Sequence, residues 1–595
     1  MGKMNNNQLS NNQLTNKYIV SKSVNSYVSL AILTLLFIAI SLVADGIVIG
    51  NFIGNEGLAS FGLATPVLTF ILALAIIFSS GGSRLCSKYA GKGQKENIDN
   101  NFTINVIFAL IVGTIITITF LTFIKPLSYF LGAEGNLVSL TIAYLSGLIL
   151  CTVPIIFFEL STTYSRLGGS SYLEIASGIG MLITNIILDV VFVVYLNMGM
   201  FGIGLATTIA YSVAFIIISI DLFSKHNNIR FYKIKNSISE VKNLLKYGLP
   251  MGLSELYVTI RVIITNNLAV LVGGTIVVGA LSIQSEISHL LVAVNLGFGA
   301  ITLLLGGIFF GERDMLSLMD VLKVTLKTGV ILTSILAVLV IIFAPFLVEV
   351  FTHNKELVST AIFSLRIFAL SIPLSLICTI LLNFYTSTEN TYLANYIAFA
   401  HGFLFISLFA LILAPLIGQN GIWVCFVLGE LITLIGLLLI IKIKTEKFPR
   451  SLKDLIFVSK DFEKNIKKTL NISIENDMDQ VMDLSNRIYE FGNKYIEDKS
   501  IRNKISLCIE EIAGNIVEYG YKSSKKIHYI DIRIIITTEN IIFRIRDDGT
   551  PFSPIEYADK NRQTESHIGI HMIHSITKKM EYRSTIGLNN LTITL

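Results

Sequence analysis

The chain has 595 residues, of which 53% are hydrophobic and 15% charged, and its formal net charge is +5. Soluble globular proteins carry about 25% charged residues, so the bulk of this chain reads as membrane protein. A charge this small and scattered gives no case for nucleic-acid binding.

Residues 1–24 begin polar and Asn-rich (MGKMNNNQLSNNQLTNKY). They have no short apolar stretch ending at a small-residue cleavage site, so they read as a disordered cytosolic tail and not a signal peptide. From residue 25 to 444 apolar runs follow one another almost without a break. A membrane span needs about 20 apolar residues. Twelve segments qualify: 27–49, 58–80, 102–124, 137–160, 172–196, 202–223, 247–272, 277–308, 324–350, 358–384, 392–414 and 420–442. Lipid offers no partner to backbone polar groups and nothing here alternates like a barrel strand, so all twelve are expected to be helices. Lys and Arg gather after spans two, four, six, eight and twelve, at Arg84, Lys88, Lys92, Lys95, Arg166, Lys225, Arg230, Lys233, Lys235, Arg313, Lys444, Lys447 and Arg450. The opposite loops hold only Lys125 and Lys355. The positive-inside rule then puts both termini in the cytosol, as in a multi-pass protein of a bacterial-type inner membrane.

The chain repeats itself weakly. Gly199-Met-Phe-Gly202-Ile recurs as Gly418-Gln-Asn-Gly421-Ile, and Phe52-Ile-Gly54 faces Val272-Gly273 at the same offset. Two six-helix halves in one orientation, 25–224 and 247–443 joined by a cytosolic linker 225–246, imply a central cavity between them.

Acidic groups inside spans are functional candidates, because each costs about 2.5–3.5 kcal/mol at mid-membrane on insertion scales. Asp45 lies in span one and Thr207 in span six. Asn185 and Asp189 lie in span five, four apart and so on one helix face. Such oxygens suit a proton or a hard cation such as Na⁺. In the second half Glu255, Arg261, Glu286, Arg366 and Glu430 sit in or near spans. Glu255 and Glu286 are the candidates for a substrate cavity, against the blander reading of structural ion pairs. The five cysteines, Cys86, Cys151, Cys378, Cys425 and Cys508, show no CxxC pair or metal-ligand spacing and read as reduced core residues.

Three stretches, VADGIVIGNFIGNEGLASFGLATPV, GGSRLCSKYAGKGQKEN and TNIILDVVFVVYLNMGMFGIGLATT, resemble the multidrug and toxic compound extrusion (MATE) transporters. The resemblance covers 25–444. It implies a twelve-span exporter that exchanges cationic or amphipathic small molecules for Na⁺ or H⁺. It also implies a coupling-cation site of Asp45, Asn185, Asp189 and Thr207. An exporter of lipid-linked cargo in the same wider fold group stays open as an alternative, with Arg261 and Arg366 as its cationic residues.

Beyond 444 the composition changes. Residues 444–468 read as a basic juxtamembrane linker. Residues 469–595 read as an α/β two-layer sandwich of ordinary domain size. Its expected elements are a strand at Asn471, helices at 478–493, 500–519 and 567–580, strands at 528–537 and 540–547, and two last strands in 581–595. Glu511 and Asn515 share a helix face, where an amide oxygen can hold Mg²⁺ and a carboxylate can act as a base. Asp547-Asp548-Gly549 closes a strand, and Gly569 opens a helix whose free amides can hold phosphate.

In this order CIEEIAGNIVEYGY, RDDGTPFSP and HIGIHMIHSI resemble the three boxes of the GHKL-type ATPases, in particular the anti-sigma-factor serine kinases. The resemblance implies ATP and Mg²⁺ as cofactors. It implies Glu511 as general base, Asn515 as metal ligand, Asp547 as adenine contact, and Gly549 and Gly569 as loop glycines. Two roles for this domain follow as expectations. One is ATP-responsive regulation of transport. The other is ATPase or serine-kinase activity toward a cytosolic regulatory protein, with the membrane part as sensor. No G-x4-GK[ST] occurs, which excludes a P-loop pump.

Overall fold

The computed structural model describes residues 18–595 except 54, 132, 134, 169–171, 223–228, 236, 350–354, 459–461, 463–465, 522–525, 561–567 and 586. These form two compact units. One is Ser26–Val458; the other joins Ser459–Leu595 with the N-terminal residues up to Asn25.

The first unit is helical throughout. Its first half holds α1 (Tyr18–Phe52), α2 (Asn55–Gly91), α3 (Lys95–Thr122), the short α4 (Ile124–Phe130), α5 (Asn136–Leu148), α6 (Thr152–Gly168), α7 (Tyr172–Val190) and α8 (Gly199–Leu222). Its second half holds α9 (Ser237–Gly311), α10 (Met315–Glu349), α11 (Lys355–Ala369), α12 (Ile372–Ser387), α13 (Thr391–Phe399), α14 (Phe405–Ile417) and α15 (Gln419–Thr445). Among the described residues ten helices are long and apolar enough to cross a membrane, and eleven if α11 and α12, bent by 44°, are one span. The segment expected at 247–272 is the first part of α9. Helix α9 breaks after it at Gly274 (φ 59°, ψ −147°). Helix α1 starts at Tyr18, inside the stretch expected as a disordered tail; residues 1–17 lie outside the described residues.

The repeat is visible in the backbone. Gly199 (φ 55°) and Gly418 (φ 62°) occupy the same unusual conformation, each opening the last helix of its half. Only glycine adopts that region without strain. The starts of α7 and α13, at Tyr172 and Thr391, keep the same offset. The two halves meet along α2 and α9. At the basic-loop end Gly91 and Gly311 bring the two backbones so close that a side chain on either would strike the other helix. Beside them Arg84, fully buried, donates to the Thr386 carbonyl at 3.0 Å and pairs with Glu389 at 3.1 Å. Lys88 joins the same carboxylate. This clasp ties α2 to the α12–α13 turn and holds the halves together at that end.

The second unit is a five-stranded antiparallel sheet of order β1-β2-β3-β5-β4, with helices on one face. In chain order it runs β1 (Ile466–Glu475), α16 (Met478–Tyr495), α17 (Lys499–Asn515), β2 (Tyr529–Thr537), β3 (Ile541–Asp547), α18 (Pro554–Lys560), α19 (Ile568–Ile576), β4 (Lys579–Thr585) and β5 (Leu588–Thr594). Alternation fixes the buried face: Ile530, Ile532 and Ile534 of β2, Phe543 and Ile545 of β3, and Leu591 and Ile593 of β5 all point the same way. Val481, Leu484 and Ile488 of α16 and Ile505, Cys508, Ile509 and Ile512 of α17 cover them. Each burial contributes about 1.5–3 kcal/mol. Strand β1 begins at Ile466, so the end of the stretch expected as linker is already part of the sheet. The elements otherwise fall close to their expected places.

Candidate functional site

Two polar sites stand out, one in each unit. The first is in the first half of the helical unit. Asp45, Asn185, Asp189 and Thr207 are each at most 5% exposed. Helix α1 brings Asp45, α7 brings Asn185 and Asp189 one turn apart, and α8 brings Thr207. They meet at the Asp45 carboxyl, which Asp189, Asn185 and Thr207 all face. The Thr207 hydroxyl donates to Asp45 at 3.4 Å. Ser41, one turn before Asp45, donates to the Asn185 side-chain oxygen. Ser41 was not foreseen; its i, i+4 spacing to Asp45 was the only signal available. Asp45 Oδ1, Asn185 Nδ2 and both oxygens of Asp189 are buried without a well-formed hydrogen bond. Buried polar atoms are almost always satisfied. Two carboxylates meeting in a dry pocket call for a proton or a cation between them. At the offset that relates Gly199 to Gly418, the counterparts are Ile264, Leu404, Leu408 and Phe426. The pocket therefore exists in one half only.

The charged residues of the second half behave differently. Glu255 interacts with Arg261 and His401. Arg261 in turn interacts with Glu430, Cys425 and Glu255, and lies over the Phe426 ring at 5.8 Å. His401 Nδ1 is 2.7 Å from Glu430 Oε2. Arg366 is exposed and donates to the Ile341 carbonyl at 3.2 Å. Glu286 lies on α9, but its side chain is outside the described residues. So Glu255, Arg261, His401 and Glu430 interact as one group and Arg366 stands apart from it.

The second site is in the sheet unit. Asn515 Nδ2 donates to Glu511 Oε1 at 3.1 Å. Gly569, in the first turn of α19, sits so close to that carboxyl that any side chain there would collide with it. Two neighbours on α17 and a glycine distant in sequence are thus brought together. Past Asn515 a π-helical stretch, Ile516–Gly520, carries the chain to the other half of the site. The Gly520 carbonyl accepts from the Thr550 amide at 2.9 Å, which ties the Asp547-Asp548-Gly549 turn to the end of α17. Strand β3 ends at Asp547 because the Gly549 amide turns back onto Asp547 Oδ1 at 2.9 Å, an Asx turn. Asn589 donates to the same oxygen at 2.8 Å and to the Gly549 carbonyl at 3.0 Å. Tyr582 holds Asn589 at 2.9 Å. Both bonds to Asp547 land on Oδ1, which leaves Oδ2 as the acceptor for a ligand. Burial pushes the Asp547 carboxyl up to about 6, against the pull of Asn589 and the Gly549 amide.

Asp548 is treated in the opposite way. Burial raises it, but Lys22 and Tyr521 more than offset that and hold it below the ordinary carboxylate range. Tyr521 donates to it at 3.0 Å and stacks on His528 at 4.6 Å. Lys22 pairs with it from the first turns of α1, where Tyr18 packs on Tyr529 at 5.1 Å. These turns explain the early start of α1: they have a partner. Sequence reading missed Asn589, Tyr582 and Lys22, because each acts from a distant segment with no motif of its own, and it gave no role to Tyr521 at the end of the first box. The Ser566 and His567 positions before α19 lie outside the described residues.

A polytopic helical repeat with a buried oxygen pocket, followed by a sheet-and-helix nucleotide-type domain, defines a transporter-class membrane protein with an ATPase-like module. The chain belongs to the MatE family, whose profile matches residues 31–191 and 250–412. The second match starts at the same offset from the first that the glycines show. The histidine kinase-like ATPase domain matches residues 474–595. Multidrug export protein MepA of Staphylococcus saprophyticus is 22% identical over 402 residues, covering 66% of this chain and 86% of that protein. MepA of Staphylococcus haemolyticus is 23% identical over 384 residues, covering 63% and 82%. A crystal structure of MATE in complex with MaD3S superposes with a TM-score of 0.66 at 25% identity, covering 70% of this chain and 94% of that one. An outward-facing multidrug resistance MATE transporter of the MOP superfamily gives 0.67 at 24%, covering 71% and 97%.

Proposed function

We propose that this protein is a multidrug exporter that moves amphipathic or cationic small molecules against an inward flow of Na⁺ or H⁺, and that its cytosolic domain binds ATP to regulate it. The observation that carries the coupling reading is the Asp45–Asp189 meeting point. It combines two buried acids, three further polar side chains and unsatisfied atoms, with no basic side chain among the described residues bonded to it. A proton or Na⁺ entering there neutralises the pair; its departure restores the repulsion. That difference is what can bias the two halves between openings. The clasp of Arg84, Lys88 and Glu389 supplies a contact to break and remake. The positive-inside pattern supports a cytoplasmic membrane with both termini in the cytosol.

The test loads vesicles containing the full chain with a cationic dye and imposes a Na⁺ or H⁺ gradient. Export is expected to follow one of the gradients, and Asp45→Asn and Asp189→Asn each to abolish that dependence while leaving the protein monodisperse. Gradient-driven export that survives both substitutions sinks the coupling site.

For the ATPase domain, Asp547 Oδ2 accepts the adenine amino group, Asn515 holds Mg²⁺, and the α19 amides beside Gly569 take phosphate. Bound ATP supplies charge and contacts that order the site. What supports a regulatory role is Lys22: α1 begins in this unit, where Lys22 pairs with Asp548, and the same helix carries Asp45. A second reading, phosphate transfer to a cytosolic protein, is favoured by the Glu511 carboxylate held by Asn515 against Gly569, where a base would stand. Phosphate release or transfer that is lost in Glu511→Ala supports it; an unchanged rate removes it.

A further inference from the structure

We propose that Cys378, His401 and Glu430 form a metal site in the second half of the helical unit, suited to a borderline divalent ion of the zinc type. The three ligands come from separate elements: Cys378 from α12, His401 from the π-helical stretch Ala400–Leu404, and Glu430 from α15. One ligand atom from each lies within 4.8 Å of the other two. Cys378 is fully buried, Glu430 is 4% exposed and the His401 side chain 13%. A thiolate, an imidazole and a carboxylate are the donors zinc accepts, and three protein ligands leave its fourth tetrahedral position for water. The same donors disfavour Mg²⁺ and Ca²⁺, which prefer oxygen alone.

Two further observations point the same way. The first is the π-helical stretch itself. It interrupts α13 and α14 where His401 faces Glu430 and Cys378, and such wide turns gather at functional positions. The second is the charge around the cluster. Arg261 interacts with both Glu430 and Glu255, and Glu255 also interacts with His401. With a divalent ion bound, the Cys378 thiolate and the Glu430 carboxylate neutralise it, and Glu255 neutralises Arg261. Every buried charge is then matched. Glu255, which interacts with His401, adds negative charge beside the metal-bound imidazole. With the His401 ring in its Nε2–H tautomer, the ion binds the Nδ1 lone pair and the Glu430 carboxylate, now 2.7 Å apart, and the Cys378 thiol releases its proton to solvent. The counterparts in the first half are Glu159, Leu182 and Tyr211, so the site belongs to the second half alone. The cysteine spacing in sequence gives no hint of it because the ligands are assembled by helix packing.

The test uses the full chain, purified in detergent with any affinity tag removed, stripped with a chelator and titrated with Co²⁺. One Co²⁺ per chain is expected, with the visible bands of a tetrahedral site and a thiolate-to-cobalt charge-transfer band, both displaced by Zn²⁺. Cys378→Ser is expected to lose the charge-transfer band. Cys425→Ser, at a cysteine that interacts with Arg261 but lies outside the cluster, keeps it. X-ray absorption of the zinc-loaded parent protein is expected to show one sulfur among four ligands. This last measurement decides the matter even where Cys378→Ser does not fold. Absence of stoichiometric Co²⁺ bands, an unchanged charge-transfer band in Cys378→Ser, or a zinc shell with no sulfur each overturns the proposal. None of these readouts uses transport, so the site stands or falls apart from the export reading.

Discussion

Replacing Asp547 with Asn separates ligand recognition from folding. Both internal hydrogen bonds to Asp547, from the Gly549 amide and from Asn589, fall on Oδ1. In Asp547→Asn the side-chain oxygen will take that place, because the alternative rotamer points an amide N–H at two donors. The new NH₂ group then stands where Oδ2 stood. An adenine amino group arriving there meets a donor instead of an acceptor. A hydrogen bond to a charged acceptor contributes about 1.5–3 kcal/mol, so ATP affinity should fall by a factor of about 10 to 150. Stability moves the other way. The folded carboxyl titrates at about 6 against an ordinary value of 3.8. With the folded value raised, the folded state holds the proton more tightly, so stability is lost as pH rises from about 4 to about 6 and the loss persists above. The amide removes that loss, worth at most about 3 kcal/mol at pH 8. The assay pairs binding of a fluorescent ATP analogue to the full chain with thermal unfolding at pH 5 and pH 8. The reasoning is refuted if affinity stays within a factor of about two, or if Asp547→Asn lowers the unfolding temperature of this domain at pH 8.

Three other perturbations follow from the same geometry. Gly569→Ala places a methyl group where the Glu511 carboxyl now sits; Glu511 will swing away from Asn515, and, on the phosphate-transfer reading, phosphate release from ATP should drop about a hundredfold with ATP binding little changed. Lys22→Ala frees Asp548 from the charge that holds it low. At neutral pH the half-exposed pair contributes under about 1 kcal/mol, and the difference from the parent should shrink as pH falls below about 4 and vanish only below the lower folded value, where the native carboxyl is protonated too; equal unfolding temperatures at pH 7 would remove the contact as a contributor. Glu174→Gln strands Arg166, which grips the fully buried Glu174 through its Nε at 3.0 and 3.1 Å. Loss of one partner of a buried pair costs about 3–5 kcal/mol, so this variant should unfold at clearly lower temperature in detergent, and restoration by a neutral partner at Arg166 would check the cause.

The sequence by itself settled what depends on neighbours along the chain. Apolar runs of span length become helices in lipid whatever surrounds them, and so the helical unit was legible. The pairs Asn185/Asp189 and Glu511/Asn515 share a face because helix geometry alone puts residues four apart together. The alternating isoleucines of β2 announced a half-buried strand. Gly199 and Gly418 marked the repeat, since both need a backbone only glycine adopts easily.

What the sequence left undecided were meetings between segments. That Asn589 and Tyr582 hold the Asp547 turn and that Lys22 reaches Asp548 depend on packing angles and offsets between elements, as does the meeting of Asp45 with Asp189, which only the family resemblance anticipated. So does the gathering of Cys378, His401 and Glu430 from three helices. Side-chain pattern fixes which face of a helix is buried, but not which partner it is buried against. That choice is made only when many weak contacts close together, and it decided where the chemistry of this protein resides.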